Sequence, residues 1–174
     1  YEFDDEGLYF VTSSIIKFIP VFVSQEYCEI ITNSLKYCRK NKGIEIVAYV
    51  IMPNHFHLLI WSKDLSSKLQ SIKRHTARQI IEKAKSEGKR WLLNQFQYYK
   101  KNYKSNSKHQ VWQEGTHPQL MQDYNMTEQK INYIHHNPVR NGLVDSPVDW
   151  IYSSASNYSD SKGVIEIDKI EDFY

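Results

Sequence analysis

The stretch Met52–Trp61, MPNHFHLLIW, decides how this chain is read. It places two histidines, His55 and His57, one residue apart inside an apolar run. A second apolar run, Ile44–Ile51, precedes it, and Pro53-Asn54 between the two reads as the turn of a β-hairpin. Side chains alternate faces along a strand, so His55 and His57 point the same way with Cβ atoms roughly 7 Å apart. Phe56 and Leu58 point the other way, toward a core. Two imidazoles at that spacing can converge on one metal ion. The pattern alone is weak, because a strand histidine is more often solvated or hydrogen-bonded. A third ligand and a reactive group must come from elsewhere in the chain.

Working outward, Leu8–Ser14 reads as a first strand, followed by an irregular piece interrupted by Lys17 and Pro20. Ser24 is a plausible N-cap for a helix carrying Tyr27, Ile31, Leu35 and Cys38 at helical spacing, closed near Gly43. After the hairpin a second helix is expected from Asp64–Ser67, where Ser67 and Gln70 have capping-box spacing, to Gly88. Its buried stripe would be Leu65, Leu69, Ile72, Thr76, Ile80 and Ala84. Lys89–His109 reads as irregular and basic. Gln110–Gln113 and His117–Met121 are short strand candidates along one edge. A third helix should open at Asn125 or Thr127 and stop at Asn137, because the residue before Pro138 is pushed out of the helical region. Val164–Ile167 reads as a short strand candidate in the acidic tail, 159–174.

The order strand, helix, strand, strand, helix, strand predicts an α+β, ferredoxin-like two-layer sandwich. Its antiparallel sheet would have the hairpin strands at the centre and helices on one face, plus a separate C-terminal helix. All 174 residues are expected to form one domain. No apolar run approaches the roughly 20 residues of a membrane helix, and no secretory signal is evident. Cys28 and Cys38 sit about 15 Å apart along one expected helix, too far to pair. Free thiols point to the cytoplasm.

The formal net charge is only +2, but the charges are segregated. Lys68 to Lys108 holds twelve Lys and Arg against two acids, Glu82 and Glu87. A solvated helix surface would account for this, and so would a polyanion-binding face. Aromatic residues favour the second. Trp91, Phe96, Tyr98, Tyr99 and Tyr103 are interleaved with basic residues, and stacked rings with cations suit single-stranded nucleic acid. The candidate DNA-binding residues are Lys68, Arg74, Arg78, Lys89, Arg90, Lys100, Lys101 and Lys104.

A second motif ends the third helix: NYIHHNPVR, Asn132–Arg140. Tyr133 and Asn137 are four residues apart and share a helix face, roughly 6 Å from each other. Taken with MPNHFHLLIW, with VWQEG (Val111–Gly115) and with DWIYSS (Asp149–Ser154), this chain resembles the single-tyrosine HUH transposases (His–hydrophobic–His). Within them it is most similar to the REP-associated tyrosine transposases. The resemblance implies that His55 and His57 are metal ligands and that Tyr133 is the nucleophile. Asn137 stands where insertion-sequence members carry a glutamine as third ligand, one methylene longer. It further implies a divalent metal, Mg²⁺ or Mn²⁺ first, and a single-stranded or hairpin-forming DNA substrate. It leaves monomer and homodimer both open.

These groups suit strand transfer. A phenol that attacks a phosphodiester conserves the bond energy as a phosphotyrosine. A free phenol, with a pKa near 10, is a poor nucleophile at neutral pH unless helped, and a divalent cation can help by polarising the phosphate. Two imidazoles can also hold Zn²⁺. Four readings follow: a metal-dependent single-stranded DNA endonuclease and strand transferase; a domesticated, non-catalytic nucleic-acid-binding protein of the same fold; an HUH replication or mobilisation nuclease; and a histidine phosphoesterase acting on RNA.

Overall fold

The computed structural model describes residues 6–174. Its frame is a four-stranded antiparallel sheet of β1 (Glu6–Ser14), β2 (Ile44–Met52), β3 (His55–Lys63) and the short β4 (Gln119–Leu120), in the order β2-β3-β1-β4. This is the expected ferredoxin-like arrangement, with one correction. Only β3 of the hairpin is central, paired with both β1 and β2, whereas β2 ends the strand order.

The open edge of β2 is covered by the C-terminal segment. The Asp168 N–H donates to the Ile46 carbonyl, and its carboxylate accepts the Ile46 N–H, both at 2.8 Å. Further along, the Ile51 N–H donates to the Tyr152 carbonyl and Trp150 Nε1 donates to the Ile51 carbonyl. Covering an edge in this way removes a template for aberrant strand pairing. Val164–Ile167 therefore does not form the strand its composition suggests. It runs alongside as irregular chain, with Ile165 buried in the core and the Ile165 N–H on the Tyr49 hydroxyl.

Helices α1 (Gln25–Asn41) and α2 (Leu65–Ser86) close one face of the sheet. The predicted α2 stripe of Leu65, Leu69, Ile72, Thr76, Ile80 and Ala84 is buried throughout. Asp64, not Ser67, precedes the helix, so Ser67 and Gln70 lie inside it and form no capping box. Gly43 turns the chain out of α1 at φ +60°, a conformation open to a residue without a β-carbon. Both cysteines are free and buried.

The basic segment after Gly88 is not irregular throughout. Arg90–Tyr98 forms helix α3, anchored by buried Leu92 and Phe96 one turn apart.

Helix α4 (Tyr124–Arg140) covers the opposite face of the sheet. Asp123 caps it by accepting the Met126 N–H at 2.8 Å. Pro138 lies inside this helix instead of stopping it. The helix lasts only two residues past the proline, and the Pro138 carbonyl then accepts the Leu143 N–H in the closing turn. A register shift in β2 between Ile46 and Ala48 lets Val47 and Ala48 both join the α4-side cluster with Leu59, Ile131 and Ile134. Among the described residues, no helix is long and apolar enough to cross a membrane.

Candidate active site

Strand β3 sends Phe56 and Leu58 into the core beneath α1 and α2. His55 and His57 emerge on the α4 face, with ring centroids 4.7 Å apart. In the strand register Thr12 lies opposite His57, and Ser14 opposite His55.

Two hydrogen bonds orient the imidazoles. Asn54 Nδ2 donates to the Phe18 carbonyl at 3.2 Å, which turns its Oδ1 toward His55 Nδ1 at 2.6 Å. An amide oxygen only accepts, so His55 carries its proton on Nδ1 and keeps a lone pair on Nε2. His57 Nδ1 meets the Thr12 hydroxyl at 2.8 Å. His57 Nε2 is buried with no hydrogen-bond partner among the described residues. Burial above all, then His55, Lys130 and Arg140, pushes the His57 pKa down to about 3, so the ring is neutral at physiological pH. Burial lowers that of His55 too.

Tyr133 comes from α4. Its ring lies 5.5 Å from that of His57, nearly edge-on, and 5.9 Å from Phe10, which itself stacks on His57. Ile131 and Ile134 bury the other side of the helix, while Tyr133 stays 38% exposed. The phenol ring and the imidazole pair therefore meet within a single chain.

Two cations frame them. The Arg140 guanidinium sits 4.3 Å from the Tyr133 ring centroid and donates to the Tyr133 carbonyl at 3.0 Å. Lys130 Nζ lies 4.6 Å from the Phe10 ring centroid and 5.7 Å from that of Tyr133. Neither cation forms an ion pair with a carboxylate among the described residues.

Asn137 is buried one turn beyond Tyr133, and its Oδ1 accepts from Asn141 Nδ2 at 3.0 Å. An amide oxygen has a second lone pair to offer. No three His, Cys, Asp or Glu residues gather as a metal cluster among the described residues. A cation here would therefore draw on two imidazoles and an amide oxygen. An orphaned, buried, neutral imidazole nitrogen beside a second imidazole fits such an ion. His135 and His136 stay out of the site: His135 Nε2 pairs with Ser154 Oγ, and exposed His136 donates to the Asn132 carbonyl.

The basic residues do not form one face. Arg74, Arg78 and Lys104 line a groove between α2 and the loop 104–118, near Trp112. Lys101 and Lys104 pair with Glu114, and Lys100 holds the Lys104 carbonyl. Lys89 lies over Tyr27 and pairs with Glu87, beside Arg90 and Trp91 in a separate depression. Lys68 faces the Cys38 side of α2.

Four residues with a part in the site escaped the sequence reading: Thr12, Asn54, Lys130 and Arg140. In the sequence Asn54 reads only as a turn residue. Lys130 was readable, since it falls three residues before Tyr133 on the same helix. Thr12 needed the strand register.

In this chain an antiparallel sheet carries a histidine pair, and α4 faces it with a tyrosine among cations. The family model for IS200-like transposases matches residues 17–137, and the chain belongs to that family. It is thereby a DNA-binding, DNA-processing enzyme of recombination. A Haemophilus influenzae protein named "Putative REP-associated tyrosine transposase" is 26% identical over 157 residues, covering 88% of this chain and 82% of that protein. The solved structure of a REP-associated tyrosine transposase bound to a REP hairpin shares the fold. The TM-score is 0.64 at 18% identity, over 98% of this chain and 90% of that one.

Proposed function

We propose that the chain cuts and rejoins single-stranded DNA through a covalent 5′-phosphotyrosine on Tyr133. The observation that carries this reading is the 5.5 Å approach of the Tyr133 ring to His57, whose Nε2 is buried and unpartnered.

The Tyr133 oxygen attacks a backbone phosphorus, forming the O–P bond as the P–O3′ bond breaks. The 3′-oxygen leaves as a hydroxyl after taking a proton, and the phenolic proton passes to solvent at this half-open site. Attack by a 3′-hydroxyl on the phosphotyrosine reverses the step, so one phosphodiester replaces another and no external energy is required. Lys130 and Arg140 hold the phosphate's charge beside the phenol. His55, His57 and Asn137 would hold a divalent cation, Mg²⁺ or Mn²⁺ first, which would polarise the phosphate oxygens.

The substrate class is hairpin-bearing single-stranded DNA. The structural relative bound to a REP hairpin supports this, as do the cation-lined groove along α2 and the exposed rings of α3. One chain supplies both phenol and imidazoles, so the reaction runs within a subunit and needs no exchange of tyrosines in a homodimer.

The test is adduct trapping on a pool of hairpin oligonucleotides with randomised single-stranded tails. The native chain should form a denaturation-resistant adduct that chelator suppresses. Tyr133→Phe should bind the same pool and form none. An adduct that survives this substitution would overturn the assignment.

A further inference from the structure

Asn54 ties His55 to a second feature of the surface. Residues 16–18 form a 3-10 turn between β1 and α1. Both Lys17 and Phe18 take left-handed backbone there, at φ +54° and +53°. Residues with a β-carbon avoid that region, and a bulky one is an outlier in it.

The turn is nevertheless held firmly. The Phe18 N–H donates to the Ile15 carbonyl at 2.9 Å, and the Ile16 N–H to the Val111 carbonyl at 2.8 Å. The Phe18 carbonyl accepts from the same Asn54 amide that orients His55. The outcome is an apolar ring left 56% exposed, on the residue whose carbonyl Asn54 holds while it orients His55. Such a ring would ordinarily gain by burial, and strained backbone of this kind clusters at functional sites.

Next to the turn, Lys17 Nζ lies 5.7 Å from the Tyr99 ring centroid. Tyr99 meets Tyr98 edge-on at 4.9 Å, and Tyr98 is 79% exposed. Tyr99 is half-buried against the core, so the open rings are Phe18 and Tyr98; such rings near a cation give unpaired bases a stacking surface and the backbone a counter-charge.

We infer that Phe18 is the platform on which the unpaired base flanking the scissile phosphate stacks, with Lys17, Tyr99 and Tyr98 leading the strand away from it. The position of the phosphate rests on the reading of Tyr133 and the histidines above. The stacking itself does not require the chemistry.

The test therefore uses Tyr133→Phe protein, which binds without reacting. The probe is a hairpin oligonucleotide with single-stranded tails in which 5-iodouracil replaces thymine. Irradiation should cross-link the probe to a peptide containing Phe18. Adding Phe18→Ala should weaken binding of the tailed hairpin about tenfold, within the range for loss of one base–aromatic stack. Phe18→Trp should restore it, and a blunt duplex should not distinguish the three. Equal affinity for Phe18→Ala, the same loss on the blunt duplex, or Phe18→Trp as weak as Phe18→Ala would each overturn the proposal. Native melting of Phe18→Ala by circular dichroism confirms that the turn has not collapsed. A Phe18 cross-link together with absence of any Tyr133 adduct in the native chain would sink the nucleophile and leave the platform standing.

Discussion

On one face of the sheet, α1 and α2 close over a continuous apolar core that includes Val11, Ile46, Tyr49, Phe56, Leu58 and Ile60. On the other face, α4 covers a smaller apolar cluster, and that cluster adjoins Thr12, His57 and Tyr133. Phe56 and His57 are adjacent in sequence and belong to opposite faces. The strand's two-residue period thus separates two tasks at the scale of one peptide bond. One face accumulates burial. The other tolerates an orphaned imidazole nitrogen and a half-exposed phenol ringed by cations, which cost stability and are the groups the proposed chemistry uses.

That contrast can be broken by paired substitutions. His57→Ala should lower the rate of adduct formation by about 10²–10³-fold, the range for losing one group that stabilises transition-state charge. Phe56→Ala should do the reverse. It should cost about 3–5 kcal/mol of folding stability in denaturant melts, while the protein that remains folded forms adduct at the native rate. If both variants lost activity and stability alike, the two faces would not be separable.

A smaller effect sharpens the orientation argument. Thr12→Val removes the hydroxyl beside His57 Nδ1 without removing Nε2, the nitrogen proposed to bind the cation. By the measure of other outer-shell partners, Mn²⁺ affinity read by electron paramagnetic resonance should fall about 10–100-fold. Melting should barely move. Unchanged Mn²⁺ affinity would mean that Thr12 does not set the ring.

The smallest effect lies outside both faces, in the loop that borders the α2 groove. Glu114 accepts from Lys104, Tyr103 and Lys101, and these bonds pull its carboxyl from 4.5 down to about 2. A carboxyl depressed by folding stabilises the folded state above its ordinary range, and that contribution drains as pH falls from about 4.5 toward 2. Tyr103 ring signals should therefore shift across that window by nuclear magnetic resonance. Glu114→Gln should open the loop to trypsin at neutral pH. A loop equally resistant in both proteins would show that the cluster does not hold it.

Much of this was legible in the residues, for identifiable reasons. Apolar periodicity gave the α2 stripe, and strand alternation gave the facing of His55, His57 and Phe56. Motif order gave the family. Helix α3 was hidden because Leu92 and Phe96 supply only one apolar step in a stretch crowded with cations and exposed rings. The end of α4 is not legible because proline chemistry disfavours the helix locally, while Ile131 and Ile134 hold it in place from the core. The off-centre position of β2 and the tail that covers its edge could not be read, because the first depends on β1 pairing with β3, as Glu6 does with Lys63, and the second on contacts as distant in sequence as Ile46 with Asp168. Thr12 meets His57 only through strand pairing across 45 residues, and Arg140 reaches Tyr133 because α4 continues past Asn137.

The most direct test of the central claim is complementation between two inactive proteins. Tyr133→Phe keeps the histidines and loses the phenol. The double variant His55→Ala with His57→Ala keeps the phenol and loses the imidazoles. Mixed in equal amounts with the hairpin pool, and with native protein as the positive control, they should trap no adduct, because each chain builds its site from its own strand and helix. An adduct formed by the mixture at a rate near that of the native protein would show that the phenol serves a neighbouring chain, and would contradict the account.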